Sequence, residues 1–341
     1  MSRPFARFTR SRSRRGHGAG WIMVCAGLAA RLTAAAAAPL QDEKASPPAA
    51  SVYRRGMPPA AAAGERSAEE AQAERIVAGA LLALDRADPF TAKIRQKARI
   101  GNRVLTGPGR YVQSGAGESQ RFRYESRLEC DTELSECRTE SFELLEVCDG
   151  LFAWGYRRNA ADPPGLSRVD VRRVREKLES LQVADPENAA RYLGGLQRTL
   201  WTIREWFRFT RAEQADLDGL PAWRIEGRWD AEKLAAILPD LATAARRPGG
   251  VEPRELPDGV PWAVRLWIGR GDLLPRRVEW LAIPGPRPVA AAEPEPIGVL
   301  DIHDIDTTAR VDAATFFYKP PPDGLMDMTE QHVTTLRAWR P

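Results

Sequence analysis

VCDGLFAWGY, residues 147–156, reads as two strand ends joined by a tight turn. Asp149-Gly150 between apolar runs is a strong short-range hairpin signal, because both residues tolerate the backbone such turns require. Beyond the turn, Phe152, Trp154 and Tyr156 recur at every second residue and so share one strand face. The same alternation appears in Phe122/Tyr124, Trp223/Ile225 and Val278/Trp280. Arg121/Arg123, Arg224/Glu226 and Arg277/Glu279 take the opposite parity. A sheet built this way is charged on one face and apolar on the other. The apolar face needs a cover, either the chain's own helices or a greasy ligand.

Working outward, further strands are expected at residues 93–100 and 104–113, joined by Gly101-Asn102, and at 120–129, 138–147 and 151–158. Residues 167–172 are read as one more. A later set is expected at 207–217, 221–229, 261–268, 275–283 and 297–305. Ser67-Ala68-Glu69-Glu70 has capping-box spacing and starts a helix that Asp88-Pro89 stops. Helices are also expected over residues 173–182, 187–207 and 230–246, the second carrying Tyr192, Leu193, Leu196, Leu200, Ile203 and Trp206 near one face. Helix, meander, helices and a second meander make an α+β architecture. The expected closure is a strongly curved antiparallel sheet, an incomplete or half β-barrel, with helices covering its concave face.

The 341 residues carry a formal charge of +4, but seven arginines and no acidic residue lie in residues 1–38. Without them 43 basic side chains face 46 acidic ones, so the basic balance marks a targeting segment and not a nucleic-acid surface. An Arg-rich head, the apolar stretch 21–30 and the alanine run 34–38 fit an export signal over 1–38, with an uncleaved membrane anchor as the other reading. Ten residues are short of the roughly 20 needed to span a bilayer. Cys25 invites a lipoprotein reading, although Val24 stands where a small residue belongs. Residues 39–66, rich in Pro and Ala, read as a flexible linker, and residues 329–341 as a C-terminal helix or tail.

Cys130 and Cys137 flank an acidic loop and are candidates for a disulfide in an oxidising compartment, with two free thiols as the alternative. Cys148 reads as a small buried apolar residue. No metal site and no cofactor are expected, since His303 and His332 stand at no ligand spacing to these cysteines. Nucleophile-elbow, phosphate-loop and zinc-binding His-Glu patterns are absent from the sequence, so an enzyme is not expected. Asp301-Ile302-His303-Asp304 is the one acidic cluster about a histidine and the remote case for a hydrolase. Glu125, Glu143 and Glu146 are assigned to a charged outer face.

Several segments in order resemble the LolA/LolB-like lipoprotein-localisation superfamily, which includes the outer-membrane lipoprotein-sorting proteins. They are the capped helix, FTAKIRQKAR at 90–99, the strands of 110–128, VCDGLFAWGY, DGLPAWRIEGRW at 218–229, and residues 262–280 with their Leu-Leu-Pro-Arg-Arg step. The closing match runs through Ala314-Thr315-Phe316-Phe317 to Lys319-Pro320-Pro321-Pro322-Asp323-Gly324. The resemblance spans residues 67–328. It implies a half-open barrel with a helical lid and an aromatic-lined cavity for acyl chains of lipids or lipoproteins, working in the periplasm between membrane-associated donor and acceptor proteins. By strand parity the lining candidates are Phe122, Tyr124, Phe152, Trp154, Trp223, Ile225 and Trp280. A monomer that binds no nucleic acid is expected. The alternative is an envelope stress sensor or scaffold of the same fold, bound to a membrane-protein partner.

Overall fold

Ser67 caps the first helix as its sequence requires. In the computed structural model, which describes residues 67–100, 103–131, 141–159, 162–182, 190–283, 294–321 and 324–338, its hydroxyl accepts from Glu70 N at 3.1 Å. Glu70 Oε2 returns the bond to Ser67 N at 2.9 Å, so both orphan donors of the first turn are satisfied. The helix, α1 (Ala68–Arg86), buries Ala73, Val77, Ala80, Leu81 and Leu84 at helical period. The segments called export signal and linker lie outside the described residues.

Five antiparallel strands follow: β1 (Phe90–Ile100), β2 (Arg103–Ser114), β3 (Arg121–Cys130), β4 (Ser141–Cys148) and β5 (Phe152–Asn159). β6 (Asp162–Asp170) completes the first meander, and its Asp170 caps α2 (Val171–Ser180). The expected helix over 187–207 is two, α3 (Ala190–Leu193) and α4 (Gly195–Trp206), broken at Gly194-Gly195. β7 (Phe207–Leu217) and β8 (Leu220–Trp229) then form a hairpin. The helix expected over 230–246 is also broken, at Pro239, into α5 (Ala231–Ile237) and α6 (Ala242–Ala245) with a 3₁₀ turn between them. β9 (Ala263–Gly269), β10 (Pro275–Ala282) and β11 (Glu295–Asp306) close the second meander. After a 3₁₀ turn at Ala313–Phe316 come β12 (Leu325–Asp327) and α7 (Thr329–Ala338).

All twelve strands form one unclosed sheet, ordered β12-β6-β5-β4-β3-β2-β1-β11-β10-β9-β8-β7. It is strongly curved and antiparallel except at one edge, where β12 pairs parallel to β6. That exception arises because the segment after β11 crosses the outer face and delivers the chain to the far edge. Bulges in the β1–β11, β7–β8, β9–β10 and β10–β11 pairs help bend the sheet. Gly107 sits where β2 closes on β3: a Cβ there would lie 1.8 Å from the Arg127 carbonyl oxygen.

Registers fix which side chains share a face. Ile94, Gly109, Ser126 and Leu144 form one row across β1–β4, and Ile225, Leu266, Val278 and Leu300 another across β8–β11. These rows point to the concave side, where α1, α2 and α4 pack over them in a single apolar core. A smaller core of Leu234, Ala245 and Val251, with Trp229 against it, lies under α5 and α6 at the end of the sheet where β7 begins.

Candidate functional site

The concave floor is aromatic at its centre. Tyr111 lies 5.8 Å from Phe90, 6.4 Å from Phe122 and 6.4 Å from Tyr124, ring centre to ring centre. Of the seven lining candidates, Phe122, Tyr124, Ile225 and Trp280 sit in the core, at most 4% exposed, and Trp223 packs against it. The structure thus brings five of them to one face.

Phe152 and Trp154 are not with them. Phe122 pairs with Cys148, and Cys148 with Ala153, so Ala153, Gly155 and Arg157 face inward while Phe152, Trp154 and Tyr156 face outward. There Trp154 meets Tyr318 at 5.9 Å and Phe152 lies under the Arg168 guanidinium at 4.9 Å. The 3₁₀ segment and Tyr318 therefore serve as a strap that covers part of the outer face, where Val112 and Val147 are also buried. The assumption of one apolar face fails in β2–β5, because this half of the sheet has a cover on each side.

Glu146 is a second correction. Pairing with Tyr124 turns it to the concave side, while Glu125 and Glu143 stay outside. Its Oε2 accepts from Gly195 N at 2.8 Å, at the break before α4. Burial pushes the carboxyl up from the usual range, and the neighbouring Arg198 guanidinium opposes this. Gly195 has φ +67°, and a Cβ on it would meet Tyr111 Cε2 at 2.9 Å. Glycine is required there because the backbone lies directly on the aromatic floor.

A buried polar network fastens the covering helices to this floor. Tyr111 donates to Gln197 Oε1 of α4 at 2.8 Å, and Gln197 donates to Gln113 Oε1 at 2.8 Å. Gln113 Nε2 in turn donates to the carbonyls of Leu84 (2.8 Å) and Ala87 (2.9 Å) at the end of α1. Burial raises the Tyr111 phenol well above its ordinary value, so it stays a neutral donor. Arg204 of α4 also pairs with Glu74 of α1 at 2.7 Å. Sequence reasoning did not single out Gln113, Gln197 or Gly195, although two adjacent glycines inside a helical pattern are a readable break signal.

α7 adds one more lock. His332 bonds to the Tyr192 backbone of α3 and lies near Arg198; burial, then that charge, pushes its imidazole down to about 3. Cys148 is a free thiol on the floor, 1% exposed and pushed by burial up to about 12, as a small apolar residue would sit. Cys130 ends β3 and is disulfide-bonded, whereas Cys137 lies outside the described residues.

Asp301, His303 and Asp304 occupy the outer side of β11. Asp301 is paired with Arg277, and Asp304 with Lys93 at 2.9 Å. His303 Nδ1 stands 3.8 Å from Asp304 Oδ1, beyond hydrogen-bond reach. Among the described residues no group of three His, Cys, Asp or Glu side chains could hold a metal ion, and no helix is long and apolar enough to cross a membrane.

No family model and no curated protein matches the chain. Solved structures do. LprF from Mycobacterium bovis is 12% identical, with 72% of this chain and 98% of that one covered, at a TM-score of 0.34. MucB is 12% identical over 74% of this chain and 64% of its own, at 0.35. A domain assigned to outer membrane lipoprotein sorting from Vibrio parahaemolyticus is 10% identical over 72% and 97%, at 0.27.

Proposed function

We propose that the protein is an exported, non-enzymatic binder of acyl chains, held between the concave sheet and the α1/α4 lid, and that it carries lipid or lipoprotein chains across the periplasm. In this reading residues 1–38 direct export, residues 39–66 tether the folded part, and Cys130 pairs with Cys137. The observation that carries it is the aromatic floor, Phe90, Tyr111, Phe122 and Tyr124, fastened to its lid by a short set of polar bonds.

The magnitudes are compatible with opening. Enclosing a fatty chain contributes on the order of 10 kcal/mol at about 0.8 kcal/mol per methylene. The five lid bonds named above contribute about 1 kcal/mol each. Helices that ride up on the chain keep their apolar faces covered, so the exchange costs chiefly those bonds.

Native mass spectrometry of protein purified from its own envelope tests this. A stoichiometric acyl lipid is expected, and Trp223→Asp, at the edge of the core, should reduce its retention in a folded protein. Lipid-free wild-type protein that also takes up no fluorescent fatty acid would refute the reading.

A further inference from the structure

The last described stretch of chain fastens the sheet edge to the lid. β12 pairs with β6 through Leu325, Met326 and Asp327, and Asp327 meets Arg168 at 2.6 Å. At the start of α7, Asp327 Oδ1 accepts from Thr329 N at 3.0 Å, and Thr329 Oγ1 accepts from Asp170 N at 2.9 Å. Arg173 of α2 pairs with Glu330. His332 then bonds the Tyr192 backbone of α3, and Val333 packs against the main core. α7 thereby joins β6 and α2 to the first piece of the lid.

α3 passes that hold to α4. The Tyr192 and Trp201 rings lie 4.9 Å apart, centre to centre, and Arg198 donates to the Leu193 carbonyl at 3.4 Å. Both contacts cross the Gly194-Gly195 elbow, so α3 and the start of α4 move together. At its other end α4 runs straight into β7. The bonds to Tyr111, Gln113 and Glu146 hold α4 on the floor. Once they part, α7 limits how far the elbow end can travel.

α7 itself is held lightly. Its 10 residues fall short of the roughly 12–15 at which an isolated helix becomes even marginally stable. The Arg173–Glu330 pair lies on the surface, where such pairs contribute little. Among the described side chains of α7, Val333 is the one apolar group packed against the main core. Arg198 Nε and His332 Nε2 are shut off from solvent with no hydrogen-bond partner among the described residues, so parting α7 from α4 returns both to water. The outer strap precedes β12 in the chain and stays on β3 and β5 through Phe316 and Tyr318, which keeps a released α7 near its seat. From this arrangement we propose that β12 and α7 form a releasable latch on the lid, and that undocking of α7 is the step that opens the elbow end to an acyl chain. The latch regulates the acyl-chain site and in that respect rests on the reading given above.

Amide exchange and the rate of uptake of a dansyl-labelled fatty acid, both on the full chain, test it. His332→Ala/Val333→Asp removes the bond to α3 and the apolar contact. Exchange should accelerate at residues 329–334 and with them at 192–198, while β9–β11 keep their protection. Uptake should quicken about fivefold or more, the equivalent of one lost hydrogen bond. Arg173→Cys/Glu330→Cys bridged by a bis-maleimide pins α7 on α2 and should slow uptake below wild type by a similar factor. Fast exchange in α7 with wild-type exchange at 192–198, or with an unchanged uptake rate, would overturn the proposal, as would wild-type uptake by the bridged protein. Should the first variant also lose protection in β9–β11, the bridged protein decides. If wild type takes up no probe, the acyl-chain reading falls, and exchange at 192–198 alone supports or overturns the latch.

Discussion

Lowering the pH should loosen α7 before it unfolds the sheet. His332 bonds the Tyr192 backbone, and its imidazole is lowered from 6.5 to about 3 by burial and then by Arg198. The docked helix therefore holds a neutral ring, whereas a released helix would protonate in the ordinary range. Such a group stabilises the docked state fully above about 6.5, and that contribution is lost as the pH falls toward 3. Each unit below 6.5 weakens docking by about 1.4 kcal/mol, so about 2 kcal/mol is gone near pH 5.

Other charges near this lock change the slope but not its sign. Arg198 stays protonated and repels the imidazolium. Glu146, raised by burial, binds a proton more readily in the folded state and so offsets part of the loss above its unfolded value. Asp327 beside Thr329 is lowered to about 2, so its share is lost only below the ordinary carboxylate range. Arg173 pairs with Glu330 on exposed surface, where such pairs contribute little. Proton NMR of the three histidines reads the effect directly, the His332 signal being assigned by its loss in His332→Leu. The signal should remain that of a neutral ring down to about pH 4, and the variant should lose less melting temperature than wild type between neutral pH and about pH 5. A His332 midpoint near 6 would refute the reasoning.

Two further substitutions probe the lid. Gly195→Ala must hold a left-handed residue, at about 1–2 kcal/mol, and press a methyl on Tyr111 and Phe122, at about 1–3 kcal/mol more. Urea unfolding should therefore show a loss of about 2–5 kcal/mol, and an unchanged midpoint would mean that the elbow does not rest on the floor. Gln113→Leu strips the Leu84 and Ala87 carbonyls and Gln197 Nε2 of a partner, at about 2–4 kcal/mol in total. Amide exchange should accelerate in the last turns of α1 more than in β9–β11, and a uniform change would count against a lid tether.

What was legible in the chain was what short-range chemistry decides. Ser67 and Glu70 announce α1, and Asp149-Gly150 announces the β4–β5 turn, because each signal lies within a few residues of its effect. The face of the second strand was not legible from β3. The link from β3 to β4 is long, and β4 offers apolar residues at both parities, Phe142 and Leu144 or Leu145 and Val147. Neither loop length nor pattern sets its register, and Glu146 then reads as an outer charge. Within the hairpin the register does follow: Val147 opposes Trp154, so the two share a face. Given β4, the outward turn of Phe152 and Trp154 was available; given β3 alone, it was not. Gln113 and Gln197 carry no signal in sequence, since their role depends on partners up to 86 residues apart.

The doubly covered half of the sheet bears on which part moves. Behind the floor, Arg123 reaches the Thr315 carbonyl at 3.4 Å, Arg121 lies over Phe316 and Trp154 meets Tyr318. Strand pairing holds the floor as well, so any opening that displaced it would break ladder bonds and strap contacts together. The lid has no ladder. α1 continues into β1 through Ala87–Pro89, while α4 runs directly into β7 at Trp206-Phe207. These joints lie at opposite ends of the sheet, and the Arg204–Glu74 pair links the two helices between them. Breaking the Gln113, Gln197 and Glu146 bonds would free both helices to rise from the aromatic floor without disturbing one strand pair. On the proposed reading, entry of an acyl chain is therefore cheapest on the helical side, and Gln113→Leu should raise the rate of fatty-acid uptake even as it lowers stability.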